Sequence, residues 1–531
     1  MKDIKVLDCT LRDGGYVNDW NFGHNNLVSM FERSIAANID IIEIGFLDDR
    51  REFDINRSIM PDTDCVERIY GDIDKKNAMV VGMIDYGTCD ISNIKRCSES
   101  YLDGIRVIFK KHLMCEAMEY CAKLKKLGYK VFAQLVSVTS YSDEEMLALI
   151  KLANEVKPYA VSMVDTYGLM NQNMLEHYFK ILDNNLDKDI SLGYHAHNNF
   201  QLGFANCIAM LRIETERPVL VDGSVYGMGK SAGNAPLELI TMHLNQEYGK
   251  KYNIAQLLEI IDANIFSFYK PASWGYNLFF YLAASNKCHP TYVSDLMKKK
   301  TLSVKQINEL LGRLEGEKRL LYDGKYMEQL YLDYQMNDID DSEDIEKLKD
   351  IFGKKEILIL GTGESVKNQE AKLKEFIEKK NPIVISMNYI PDNIVPDMIF
   401  LSNSKKYVQM MSTLLPNRGK YKIIATSNVT KTNGNFDYTI KYSDLIEPDN
   451  AIFDLAFTML MKTMLKTEVK EVYLGGIDGF NKQHDGIYLD SNEECVYDVK
   501  YIDELNKYVR KTLEKIKDKM KVNFLTTTIY E

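Results

Sequence analysis

The chain lacks what marks a protein for export or for a membrane. Its opening, MKDIKVLDCT, has no apolar signal-peptide core, and no stretch approaches the roughly 20 apolar residues that span a bilayer. Cysteine is sparse. The nine residues are an odd number without a Cys-x-x-Cys pair, which points away from a disulfide framework and to reduced thiols in a cytoplasm. Positive charge is also in deficit. Lys and Arg total 66 against 77 Asp and Glu, a net charge of −11, which argues against broad binding to nucleic acid or to an anionic membrane. What remains, 45% hydrophobic and 27% charged residues, is the composition of an ordinary soluble globular protein. At 531 residues it is too long for one typical core, so two or three domains are expected.

The first half is a regular alternation. Short β-branched runs predict strands at 4–9, 40–46, 79–85, 104–109, 130–136, 160–165, 190–197 and 219–225. Helical patterns such as NNLVSMFERSIAAN and EAMEYCAKLKKLG lie between them, the second stopped by Gly128. Eight strands, each followed by a helix, in about 240 residues is the count of a (β/α)8 barrel. Near-continuous apolar strands fit a parallel sheet buried on both faces. A doubly wound open sheet is the alternative that local pattern leaves open.

In such a barrel the active site lies at the C-terminal strand ends. The polar residues there are Asp8, Arg12 and Asp13, then Glu43, Asp85, Gln134, Asp165, His195, His197 and Asp222. His195 and His197 are two apart on a strand, so both imidazoles face one side and reach one point, as a divalent metal requires. With only 8 His in the chain, two unrelated surface histidines are the plainer alternative. A carboxylate with two imidazoles leaves open positions suited to Mn2+, Mg2+, Co2+ or Zn2+ acting as a Lewis acid on a bidentate 2-keto acid. Arg12 then supplies a fixed positive fork for an enolate oxygen, or else only a salt bridge across the barrel mouth. The loop VYGMGKSAGNAPLE (225–238) holds three glycines and lets backbone approach a ligand. Asn234 within it reads as a further oxygen ligand or as a helix cap. Cys9 reads as a small buried residue.

TLRDG, HAHNNFQLGFAN and GMGKSAGNAPLE, in this order over residues 1 to 300, resemble the DRE-TIM metallolyases, and within them the 4-hydroxy-2-oxovalerate aldolases. The resemblance implies a metal on Asp13, His195 and His197, Mn2+ or Mg2+ foremost, and Arg12 on the pyruvate enolate. WGYNLFF then places Tyr276 at the family's active-site tyrosine, with a core aromatic as the alternative. The substrate side includes Glu43, Gln134, Asp165 and Lys230. Two departures stand out. The family's acid/base histidine is Tyr16 here, whose unperturbed pKa of about 10 is poorly suited to a base near neutrality. Lys230 replaces a small residue, and reaches either solvent or an anionic group on the aldehyde. The cysteine that another lyase branch carries in the glycine loop is missing. These changes point to an aldol reaction with an unfamiliar, sugar-like aldehyde. An acyl-CoA-dependent condensing synthase of the same superfamily and a non-catalytic assembly scaffold stay open as alternatives.

Four segments are expected: a barrel at 1–250, a helical extension at 251–335, an acidic linker at 336–354 and a Rossmann-like α/β domain at 355–531. In the resembled aldolases the helices close the barrel and support a partner interface, and a homo-oligomer is expected. The last domain opens with KEILILGTGESVKNQEAKLKEFIEKK, a strand, a Gly-x-Gly-x-Ser turn and a helix, but without the third glycine of the dinucleotide fingerprint, so NAD is poorly supported. Further strands are read at IVISMN, DMIFLS, KIIATS and EVYLGGIDGF, with a closing helix over 501–520. ILGTGES, SMNYIP and YLGGIDGF resemble sialyltransferase-like, surface-glycan-associated domains. That resemblance implies a nucleotide or nucleotide-sugar against Gly361, Gly363 and Ser365, near Asn388 and Asp478, in a chain serving surface-polysaccharide synthesis. A catalytically silent α/β domain is the alternative.

Overall fold

The structure, a computed structural model, describes residues 3–269, 274–299, 301–414, 416–417, 419–430, 436–447, 454–480 and 499–531. Nine parallel strands form in the first half: β1 (Ile4–Asp8), β2 (Ile41–Leu47), β3 (Ile59–Met60), β4 (Met79–Asp85), β5 (Gly104–Phe109), β6 (Lys130–Leu135), β7 (Ala160–Asp165), β8 (Ser191–Ala196) and β9 (Val219–Gly223). β1 pairs with β9 on one side, Leu7 opposite Asp222, and with β2 on the other, Leu7 opposite Ile41. That double pairing closes the sheet into a barrel and rules out the doubly wound alternative. β3, which the sequence pattern did not reveal, is two residues long and pairs only with the far end of β2. The other eight are the barrel.

Local sequence explains the helices between them. Ser142 and Glu145 form a capping box that starts Asp143–Val156. Asn171 caps Gln172–Asn185 by accepting from the Met174 amide. Met114–Lys126 ends before Gly128, whose φ of +98° takes the left-handed turn expected of it. The apolar faces of these helices pack on the outside of the barrel, in one cluster that includes Phe31, Leu124, Leu149 and Phe179.

Alternation along each strand fills the inside. Leu7, Ile41, Met79, Val81, Phe132, Ala160 and Leu220 form a dry apolar layer. Two residues further along the strands, the same inward face carries Glu43, Arg106, Gln134, Ser162 and Asp222, all buried. The apolar plug therefore supports a polar layer, and the polar layer lies under the C-terminal rim.

The chain divides into two compact units, Met1–Pro290 and Thr291–Glu531. The division falls inside the 251–335 stretch. Residues 336–354, expected to be an acidic linker, contain the helix Ser342–Phe352, which buries Ile345, Leu348 and Phe352. Its charges occupy the exposed face, so composition alone disguised an amphipathic helix.

In the second unit, β10 (Ile357–Leu360), β11 (Ile383–Met387), β12 (Met398–Leu401), β13 (Lys422–Thr426), β14 (Tyr438–Ile440), β15 (Glu471–Gly475) and β16 (Lys521–Phe524) form one sheet. Its order is β14-β13-β12-β11-β10-β15-β16, and every pairing is parallel. The terminal helix runs Val499–Ile516. No helix among the described residues is long and apolar enough to cross a membrane.

Gly45 in β2 has a φ of +139°, and a Cβ there would lie 1.9 Å from the Ser58 carbonyl oxygen, which accepts from Phe46 N at 3.0 Å. Gly45→Ala should cost about 3 kcal/mol or more in urea unfolding, because both the backbone conformation and the β2–β3 junction resist a methyl group.

Candidate metal centre and active site

The site begins where β1 ends. Asp8 accepts from the Thr10 amide at 2.9 Å and from Ser34 Oγ at 2.8 Å, and Thr10 Oγ1 accepts from Val225 N at 2.8 Å. The chain is thereby folded into the one-turn helix Thr10–Asp13, which turns inward over the barrel mouth. Trp20 Nε1 donates to the Arg12 carbonyl at 2.8 Å and fixes that turn from outside.

Asp13, His195 and His197 converge, each offering a ligand atom within 4.8 Å of the others. His195 Nε2 lies 3.3 Å from Asp13 Oδ2, and His197 Nε2 lies 3.6 Å from Asp13 Oδ1. The far side of each ring is anchored. His195 Nδ1 donates to Asp222 Oδ2 at 3.0 Å, and His197 Nδ1 donates to the Asp165 carbonyl at 3.1 Å. These bonds put the proton on Nδ1 and leave the Nε2 lone pair facing Asp13, the tautomer a metal needs. Both Nε2 atoms are buried without a hydrogen-bond partner, and so is Asn234 Oδ1. Three orphaned acceptors around one carboxylate are costly unless a cation sits among them. The donor set therefore fits a divalent ion with mixed nitrogen and oxygen ligation.

Electrostatics agree. Burial opposes charge on Asp13, yet the Arg12 guanidinium holds its carboxyl well below the usual range. Burial lowers His197, whereas on His195 the carboxylates of Asp13 and Asp222 outweigh burial and raise it. Burial pushes the Tyr16 hydroxyl up to about 12, with the Asp13 charge adding to the effect. Burial also raises the Cys9 thiol, whose Sγ lies 3.2 Å from the Gly223 carbonyl, so Cys9 is a buried small residue as expected.

Above the triad is a cavity lined by Arg12, Asp13, Tyr16, Gln134, Lys230 and both histidines over an apolar wall of Met83, Ile108 and Val164. Arg12 Nε donates to Glu43 Oε2 at 2.8 Å and Nη1 pairs with Asp13. Lys230 fixes Asp13 through its backbone, N to Oδ1 at 2.8 Å, while its ammonium lies 5.1 Å from the centre of the Tyr16 ring.

The other expected site residues divide. Asn234 is no helix cap, since Pro236 precedes the helix Leu237–Tyr248. Glu43 lies beneath the cavity, accepting from Arg12 and Arg106. The Asp165 carboxylate turns away from the cavity to its own loop, accepting from Leu169 N and Met170 N, and burial raises it to about 6. Tyr276 does not join the cluster; it is 64% exposed and outside the cavity lining. Arg106, wholly buried, was missed. Its signal is plain in hindsight: a charged residue inside the apolar strand GIRVIF must have partners.

In the second unit Gly363, Ser365 and Asp478 do meet, but not as a phosphate cradle. Asp478 accepts from Ser365 N at 2.9 Å and from Ser365 Oγ. Gly361 N and Gly363 N donate to the carbonyls of Gly475 and Gly476. The amides expected to hold a nucleotide phosphate are therefore engaged by the chain itself, and the carboxylate of Asp478 occupies the anion position. Asn388 is bound elsewhere, to Ser402.

Residues 3–263 match the family model described as HMGL-like. A 4-hydroxy-2-oxovalerate aldolase of Pseudoalteromonas translucida is 25% identical over 246 residues, 46% of this chain and 70% of the relative. One from Marinomonas sp. is 26% identical over 249 residues, 46% of this chain and 71% of the relative. The solved hydroxymethylglutaryl-CoA lyase of Pseudomonas aeruginosa superposes with a TM-score of 0.43 and 15% identity, covering 51% of this chain and 95% of that one.

Gly229 closes over the triad so tightly that a Cβ there would lie 2.3 Å from Asn234 Nδ2 and 2.9 Å from Asp13 Oδ1. Gly229→Ala should fold, yet bind Mn2+ at least about tenfold more weakly in calorimetric titration, because the methyl group displaces two groups of the centre.

Proposed function

We propose, on the match of residues 3–263 to the HMGL-like family model, that this barrel makes or breaks a carbon–carbon bond between a 2-keto acid, pyruvate in the simplest case, and an aldehyde. Asp13, His195 and His197 would hold a divalent ion beside Asn234, Mn2+ or Mg2+ ahead of Co2+ and Zn2+. The observation that carries this reading is the pair of buried, partnerless Nε2 lone pairs turned to one carboxylate beneath an open cavity. A bound ion supplies Lewis-acid polarisation of the keto acid's oxygens, which acidifies the neighbouring carbon.

The chain's own groups do the rest. Two contacts hold Arg12, through Nε and Nη1, and its Nη2 keeps its protons for an oxygen in the cavity. A fork fixed in this way stabilises the enolate without reorganising. In cleavage the C4 hydroxyl gives its proton to the Tyr16 oxygen in its phenolate form, the C3–C4 bond breaks, and its electron pair becomes the enolate. Protonation at C3 then yields the keto acid's methyl group. Condensation runs the same steps in reverse. A hydroxyl near 12 is protonated at neutrality, which suits Tyr16 to donating a proton to the aldehyde oxygen as the bond forms. Gln134 lines the same cavity, with its Oε1 and Nε2 already engaged by Arg106 and Ser162. Lys230 forms no ion pair among the described residues and faces the cavity, a position suited to an anionic group on the aldehyde.

Metal-loaded protein in D2O should exchange the methyl hydrogens of pyruvate, read by mass spectrometry of the recovered acid. Chelation should abolish the exchange and Mn2+ restore it; no exchange from the loaded protein overturns the reading. Tyr16→Phe should lower condensation of pyruvate with a panel of small aldehydes by about 10²–10⁴. The same variant should retain methyl exchange, because the tyrosine acts on the alcohol oxygen and not on the methyl carbon.

A further inference from the structure

The polar layer under the cavity is organised around one side chain. Arg106 stands on β5 between the inward-facing Gly104 and Ile108, and is wholly buried. Its Nη1 donates to Glu43 Oε2 at 2.9 Å. Its Nη2 donates to Gln134 Oε1 at 2.9 Å and to Asp222 Oδ2. Both carboxylate oxygens have a second contact. Glu43 Oε2 also takes Arg12 Nε at 2.8 Å, and Asp222 Oδ2 also takes His195 Nδ1 at 3.0 Å. A continuous chain thus runs Arg12, Glu43, Arg106, Asp222, His195.

We propose that Arg106 is the positioning residue for both halves of the active site. Through Glu43 it fixes the Arg12 fork, and through Asp222 it fixes the ring and tautomer of His195. The inference rests on the reading of the site given above but concerns a residue that touches neither cavity nor ion. Stability alone does not account for it. A buried ion cluster is weak evidence of stabilisation, and the layer below fills the same barrel with apolar side chains. Arg106 Nε is even left buried without a partner. What a planar fork provides, and an apolar side chain cannot, is a fixed distance and angle between two carboxylates. Without it Glu43 and Asp222 are two like charges in a dry interior, free to turn away from Arg12 and His195.

Arg106→Lys keeps the charge and removes the fork. The variant should bind Zn2+ and Mn2+ about 10–100-fold more weakly in calorimetric titration, as outer-sphere partners typically do. In long-range proton–nitrogen NMR of the metal-free protein, His195 should change from a single Nδ1-protonated tautomer to a mixture, while His197, held by a backbone carbonyl, should not. A purely structural Arg106 predicts a lowered melting temperature with both readouts unmoved, and that result overturns the proposal. A wild-type protein that binds no metal would sink the functional reading alone, since the tautomer readout needs none. Should the lysine variant not fold, the guanidinium of the unaltered chain decides. Separate, slowly exchanging Nη protons on Arg106 support the clamp, and a single averaged signal refutes it.

Discussion

The barrel depends on a buried layer of charge whose members must all be paired. Glu43, Arg106 and Asp222 lie across its axis with almost no exposure. In an interior of low dielectric each unpaired charge would cost several kcal/mol, so their geometry is constrained far more than that of an apolar layer. The layer does not stabilise the fold economically, and what it offers is orientation. Every group that faces the cavity from below is held by a second contact on its far side. The centre is consequently built before any ligand arrives, which is what electrostatic catalysis requires.

Strand alternation converts a linear pattern into this arrangement. With a period of two, Ile41 and Glu43, Phe132 and Gln134, and Leu220 and Asp222 occupy successive levels on the same inward face. The lower level is apolar, the middle one sets angles, and the upper one lines the cavity. Of the triad His195 is on β8, His197 follows its last residue and bridges to Asn234, and Asp13 comes from a different element. It needs the one-turn helix after β1, the Lys230 amide and the Arg12 guanidinium to bring it to the histidines.

This division of labour explains what could be read from the sequence. The strands and the convergence of Asp13, His195 and His197 beside Arg12 are legible because each depends on local period or on position at a strand end. Arg106 is not, because its meaning is entirely in partners from β2, β6 and β9, 28 to 116 residues away in the chain. Asp165 stands at the expected strand end, but two amides of its own loop claim its carboxylate oxygens, and its backbone carbonyl is what reaches His197. Tyr276 was assigned by resemblance, and a short aromatic motif fixes no direction for its side chain. In the second unit the amides of the Gly-x-Gly-x-Ser turn are engaged by the chain itself. Glycine records that backbones come close and does not record what they close on; here it is Asp478, whose carboxylate would lie 2.4 Å from a Cβ on Gly363.

Charge balance ties the two levels of the barrel together. Two guanidiniums, Arg12 and Arg106, face three carboxylates, Asp13, Glu43 and Asp222, which leaves one net negative charge in a closed space. With both imidazoles neutral, the Lys230 ammonium also acts on Asp13 from the rim, and the carboxylates of Asp13 and Asp222 raise the affinity of His195 for a proton. A monovalent ion would only neutralise the cluster. On the function proposed above, a divalent ion would reverse its sign and a singly charged keto acid would then restore neutrality, so that residues beneath the site would favour the cation's arrival before the anion's. Lys230 at the rim extends the same logic outward, as a second positive charge facing the cavity beside Arg12.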